Sequence, residues 1–192
     1  MRLKKENVPD WPERFDGLAH TLIEQIDILS DAASELSSFS RFYNEEAVPV
    51  ELNQLIQEQC TLFNTGDSVK LDFISEVAPA KVLGRRQQLT RVLVNLISNA
   101  KQALEGHEGG LIRIRLALQE NVFALDIEDN GSGVPEKLRE RLFTPNFTTK
   151  SGGTGLGLAI CRSIIEQSQG TISYTTSEWG GANFMIRLPK CE

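Results

Sequence analysis

The sequence is poor in the residues that bind metals or form disulfide cross-links. Three cysteines, Cys60, Cys161 and Cys191, are scattered over 192 residues without a C-x-x-C pair, and only two histidines, His20 and His107, accompany them. This excludes a disulfide framework and the usual zinc patterns, and it suggests a reducing compartment. No unbroken apolar run is long enough to span a bilayer. Residues 1–10 carry charge and a proline, not an apolar core followed by a small-residue cleavage site, so no signal peptide is expected, nor any membrane contact by this chain. Basic residues are in deficit, 20 against 26 acidic, for a formal net charge of −6. A broad nucleic-acid surface is therefore not expected, although a local anion site remains open. What is present, 40% apolar and 24% charged residues, is the composition of a soluble globular protein with one domain plus an extension, or two domains at most.

Organisation changes near Val48. Residues 13–43 read as one long helix with a heptad seam at Leu22, Ile26, Leu29, Ala33 and Leu36, while Ile28, Ala32, Phe39 and Phe42 widen the apolar face. The seam suits either a bundle or dimer helix or a core helix of an ordinary domain. Beyond it, 52–63 and 85–104 have helical periodicity, and 69–76 reads as a strand. Two hairpins are expected, 111–118 with 122–128, and 171–176 with 183–188 across a turn at Trp179, Gly180 and Gly181. Between them lies a glycine- and threonine-rich stretch, 129–154, too long for a simple connection. The fold class is thus α+β, a mostly antiparallel sheet with helices on one face, preceded by a long helix. The division falls at 1–48 and 49–192.

Four stretches of the second part carry chemistry. Asn95 and Asn99 stand one helical turn apart on one face, where their amides either hydrogen-bond across a core or offer carboxamide oxygens to a hard cation such as magnesium. Asp129-Asn130-Gly131-Ser132-Gly133 follows a strand. It is either a plain turn or a backbone that passes close to a flat ligand while a carboxylate accepts from an exocyclic amino group. Phe143 to Lys150 precedes Gly152-Gly153-Thr154-Gly155-Leu156-Gly157, which opens a helix. Exposed amides there, with Lys150 and the hydroxyls of Thr148 and Thr149, make a phosphate cradle. There is no G-x-x-x-x-G-K-[ST] motif, and neither Gly-x-Gly start has the third glycine and preceding strand of a dinucleotide fold.

In order and spacing, these stretches resemble the N, G1, F and G2 boxes of sensor histidine kinases. Those belong to the gyrase, histidine-kinase and MutL superfamily with its Bergerat-type ATP-binding sandwich. The Phe147-Thr148-Thr149-Lys150 ending is similar to the NtrB and NtrY branch, and residues 24–42 resemble the second helix of the dimerisation and phosphotransfer domain. The resemblance implies ATP and Mg2+ as ligands. Asn99 is then the magnesium ligand, and Asn95 lies beside the triphosphate with Lys150 as the second catalytic residue. Asp129 reads the adenine amino group, and Gly131 and Gly133 shape its pocket. The F-box Phe143 also belongs to the nucleotide site, as do Thr148 and Thr149 in the lid, and Gly153, Thr154, Gly155, Leu156 and Gly157 in the phosphate loop.

The resemblance further implies transfer of the γ-phosphate to a histidine for relay to a response regulator receiver domain, in a parent that is a homodimer. ATP-hydrolysing relatives carry glutamate where this chain has Asn95, and an amide cannot take a proton from water at neutral pH, so transfer is favoured over hydrolysis. An ATPase or a nucleotide-regulated binding module of the same fold is the alternative. Neither histidine has the phosphoacceptor context: His20 is followed by Thr21-Leu22-Ile23, and His107 lies between Gly106 and Glu108. The chain thus reads as a cytoplasmic portion of an inner-membrane sensor whose acceptor histidine lies outside it.

Overall fold

The computed structural model describes residues 46–64, 69–150 and 153–191. The long helix expected over 13–43, its seam and His20 lie outside the described residues. Alternation of apolar and polar residues produces the strands of the main sheet. In β4 (Leu111–Gln119) Ile112, Ile114 and Leu116 are buried while Leu111, Arg113 and Arg115 turn to the other face. β5 (Val122–Asp129) buries Phe123, Leu125 and Ile127 beside them. The sheet is completed by β2 (Lys70–Ser75), β6 (Thr171–Thr176) and β7 (Ala182–Pro189), in the order β2-β4-β5-β7-β6. β2 runs parallel to β4, and the other three pairs are antiparallel, as expected.

The helices are α1 (Leu52–Phe63), α2 (Arg86–Ala103) and α4 (Gly157–Gln167), with a short α3 (Glu136–Arg139) in the long connection. Leu52, Leu55 and Ile56 of α1, Leu89, Val92, Leu93, Leu96 and Ile97 of α2, and Cys161, Ile164 and Ile165 of α4 form one core with the inward residues of the sheet. Their spacing of three and four residues is the reason each helix has one buried face. Cross-strand ion pairs, Arg115 with Glu128 at 2.9 Å and Arg187 with Asp126 at 2.8 Å, tie strands together on the opposite side. Burial pushes the Cys60 thiol up to about 11, so it behaves as an apolar filler.

Two features were not anticipated. One is a two-stranded antiparallel ribbon of β1 (Val48–Glu51) and β3 (Lys81–Gly84), with Val50 opposite Val82, both buried. The other is the parallel pairing of β2 with β4. Glu51 links the ribbon to α1: its carboxylate accepts Gln54 N–H at 2.7 Å as the helix cap and Ala80 N–H at 2.8 Å from the approach to β3. Among the described residues no helix is long and apolar enough to cross a membrane.

Candidate functional site

α2 places its polar row under the glycine loop at the start of α4. Asn99 Nδ2 donates to Asn95 Oδ1 at 3.0 Å, and the Lys150 ammonium donates to Asn99 Oδ1 at 2.8 Å and to Gln102 Oε1. Asn99 and Gln102, three residues apart on one helix, therefore meet a lysine 51 positions from Asn99 in sequence, while Asn95 one turn earlier bonds Asn99. Lys150 is exposed as a residue, yet its ammonium is held among these groups. The partial loss of water pushes its pKa down, against the attraction of Glu105 and Asp129.

At the other end lies Asp129, 2% exposed at the end of β5. Its Oδ1 accepts Gly131 N–H at 2.9 Å and Ala182 N–H at 3.1 Å, and its backbone carbonyl accepts the Ser177 hydroxyl at 2.7 Å. Among the described residues nothing donates to Oδ2, and Asp129 lines the cleft, so that oxygen is available to a ligand donor. Burial raises the Asp129 pKa, while the two N–H donors and the Lys150 charge pull it back.

The two ends bound one cleft of about 430 Å³, within the range of small-molecule sites. Asn95, Asn99, Asp129, Gly133, Thr148, Thr149, Lys150, Gly153, Thr154, Gly155 and Gly157 all line it. Gly131, Phe143 and Leu156 are not among the lining residues. Phe143 packs edge-on against Phe184 with centroids 6.3 Å apart, and the Leu156 carbonyl accepts Ile160 N–H at 2.9 Å as α4 begins. Gly131 sits where an added Cβ would come within 2.9 Å of the Ala103 carbonyl oxygen. His107 is exposed in the loop after α2, away from this lining.

The glycines fit a phosphate-bearing ligand. Gly155 has φ +68°, and a Cβ there would lie 2.6 Å from Asn146 C, so the lid packs backbone against backbone. A Cβ on Gly157 would strike the Asn95 amide. Side chains would fill the space that backbone N–H groups need to reach an anion. The Lys150 end offers the neutral amide oxygens of Asn95, Asn99 and Gln102, and no cluster of three or more His, Cys, Asp or Glu residues occurs among the described residues. These are hard oxygen donors without charge, which suit a magnesium ion carried in by phosphates and not one held by protein alone.

Sequence reasoning missed Gln102, although it continues the Asn95 and Asn99 row two turns along. It also missed Gly181, which had been read only as a hairpin turn. A Cβ there would collide with the Asp129 carbonyl oxygen and approach Asp129 Oδ1 to 2.5 Å. The apolar walls, Val134, Pro135, Leu142, Leu158, Ala182 and Phe184, come from four separate segments.

Comparison with known proteins places this geometry among relatives. Residues 84–192 match the family described as histidine kinase-, DNA gyrase B-, and HSP90-like ATPase. The signal transduction histidine-protein kinase AtoS of Escherichia coli (strain K12) is 37% identical over 172 residues, 88% of this chain and 28% of AtoS. The nitrogen regulation protein NtrY of Azorhizobium caulinodans is 32% identical over 205 residues, covering 100% of this chain and 26% of NtrY. The chain thus spans little more than a quarter of the length of these relatives. Among solved structures, the catalytic domain of histidine kinase ThkA superposes with a TM-score of 0.69 at 35% identity, covering 76% of this chain and 99% of that domain. A longer ThkA structure, in complex with the response regulator protein TrrA, gives a TM-score of 0.69 at 26% identity over 99% of this chain and 53% of that one.

Proposed function

The chain belongs to the histidine kinase-, DNA gyrase B- and HSP90-like ATPase family, as a catalytic domain of the sensor histidine kinase type, and on that premise we propose that its cleft binds Mg2+-ATP and passes the γ-phosphate to a histidine outside this chain. The observation that carries the reading is one cleft that has, at one end, an Asp129 carboxylate oxygen to which nothing donates among the described residues. At the other end, a lysine and three amide oxygens lie under a glycine-rich helix start. Asp129 Oδ2 accepts the adenine amino group, and the lid residues Thr148 to Lys150 and Gly153 to Gly157 enclose the phosphates. Asn99 holds the magnesium, which, when bound, neutralises charge on the phosphate oxygens. Lys150 is drawn from the amide oxygens to the more highly charged phosphates.

Asn95 sets the reaction type. In transfer, the neutral imidazole nitrogen of the acceptor attacks the γ-phosphorus as the bond to the bridging oxygen breaks, and ADP keeps the electron pair. That nucleophile needs no base from the protein, whereas water would, and the Asn95 amide cannot serve as one. The phosphohistidine then supplies a response regulator receiver domain, as the ThkA complex with a response regulator suggests by likeness. On the same reading, residues 1–48 belong to the dimerisation and phosphotransfer region and 49–192 are the ATP-binding domain, both in the cytoplasmic portion of a homodimeric inner-membrane parent.

Mixing the chain with Mg2+-ATP and a separate helical hairpin bearing the parent's acceptor histidine is expected to put acid-labile, alkali-stable phosphate on the hairpin. ATP turnover without the hairpin should stay well below about 1 per second. Steady hydrolysis at or above that rate with no phosphohairpin would reverse the assignment in favour of an ATPase.

A further inference from the structure

One piece of the cleft wall near Asp129, at Val134, is not held by main-chain hydrogen bonding among the described residues. Val134, which lines the cleft, follows two glycines, one of them Gly133 at φ +64°, so the loop has little stiffness of its own. Among the described residues neither peptide group of Val134 bonds to another backbone group; side chains from two other elements take both. Val134 N–H donates to the Tyr174 hydroxyl at 3.0 Å, and Arg139 Nε donates to the Val134 carbonyl at 3.1 Å.

These two side chains also support each other. The Arg139 guanidinium stands 5.6 Å from the Tyr174 ring centroid, and its Nη2 donates to Thr176 Oγ1 at 3.0 Å, two residues along the same strand. Tyr174 in turn packs edge-on against the cleft residue Phe184, with centroids 5.6 Å apart. α3 is thereby strapped to β6, the edge strand of the sheet, with Val134 held between them.

We propose that Tyr174 and Arg139 are positioning residues that set the base-side wall of the nucleotide cleft, fixing where Val134 and Pro135 meet the purine ring held by Asp129. The inference rests on the nucleotide reading above and extends it to two side chains that do not themselves line the cleft. A planar base gains its affinity from close apolar contact, which a loop free to move by an ångström would forfeit. Both residues act on the base end alone, because the contacts of Lys150, Asn95 and Asn99 lie on other elements.

The test uses Tyr174→Phe and Arg139→Gln in the full chain, with ADP affinity by calorimetry and amide exchange resolved at single residues. Phenylalanine keeps the ring contact with Phe184, and Arg139 is exposed, so neither change should unfold the protein. Each variant is expected to bind ADP about fivefold or more weakly. Exchange at Val134 should accelerate about tenfold or more, with α2 amides unchanged and protection regained on saturation with ADP. ADP affinity unchanged in both variants, or exchange raised equally across β6 and α2, would overturn the proposal, the second result marking general support of the fold. Failure of the unaltered chain to bind ADP would overturn the nucleotide reading, and this inference with it.

Discussion

Asp129→Asn is expected to weaken binding of an ATP analogue by about a hundredfold or more while the protein stays at least as stable at neutral pH. The asparagine oxygen keeps the hydrogen bonds from Gly131 and Ala182 N–H, which leaves its NH2 group where Oδ2 was. A donor then faces the donor on the base, and about 3 kcal/mol of charge-assisted hydrogen bonding and mismatch is lost. Stability moves the other way because burial raises the Asp129 pKa. The folded state holds that proton more tightly than the unfolded chain does. The group's contribution to stability is therefore fully present below the ordinary carboxylate range and is lost as pH rises through the folded value. At pH 7 the ionised carboxylate is a cost that asparagine removes. Melting curves of the nucleotide-free proteins should show the variant level with or above the parent at pH 7, with its advantage shrinking toward pH 4.

Gly181→Ala carries the second large effect, and it acts on both stability and affinity. A methyl group there would collide with the Asp129 carbonyl oxygen and lie 2.7 Å from Gly131 N. Neither backbone atom can yield cheaply, since the carbonyl is held by Ser177 and the Gly131 N–H by Asp129 Oδ1. Overpacking of this kind should destabilise the fold by about 3 kcal/mol and separate Ala182 from Asp129. Nucleotide affinity should fall about tenfold or more even where the variant is still folded. Gly180→Ala is the control one residue away. Its φ of +86° makes an alanine strained, but a Cβ there meets nothing within 4 Å. It should cost about 1 kcal/mol and leave affinity unchanged. Denaturant midpoints and calorimetry on both variants separate the collision from the strain.

The contrast between these glycines shows what the sequence could and could not convey. The pair Asn95 and Asn99 was legible because a helix has a fixed period, and the structure places both on the cleft side of α2. The glycine loop was legible because it has no strand before it and opens a helix. Gly181 looked like an ordinary hairpin residue, since its partner Asp129 lies 52 positions earlier and only the pairing of β5 with β7 brings them together. Gln102 carried a periodic signal that was passed over, because glutamine is common on exposed helix faces. β1 and β3, four residues each, were too short for alternation to stand out, and the parallel partnership of β2 with β4 depends on a crossover that local pattern does not encode. Phe143 belongs to a motif next to the cleft yet packs against the core, edge-on to Phe184. Motif membership marks a neighbourhood, and the direction of each side chain is decided by packing.

On the proposed reading, one cleft takes a nucleotide, with its magnesium ion set by Asn99. The most direct measurement is calorimetric titration of the chain with a non-hydrolysable ATP analogue, with and without Mg2+, alongside Asn99→Ala. One analogue should bind per chain, Mg2+ should tighten binding about tenfold or more, and Asn99→Ala should remove most of that gain while the melting curve changes little. No binding, or binding that Mg2+ and Asn99→Ala leave unchanged, would contradict it.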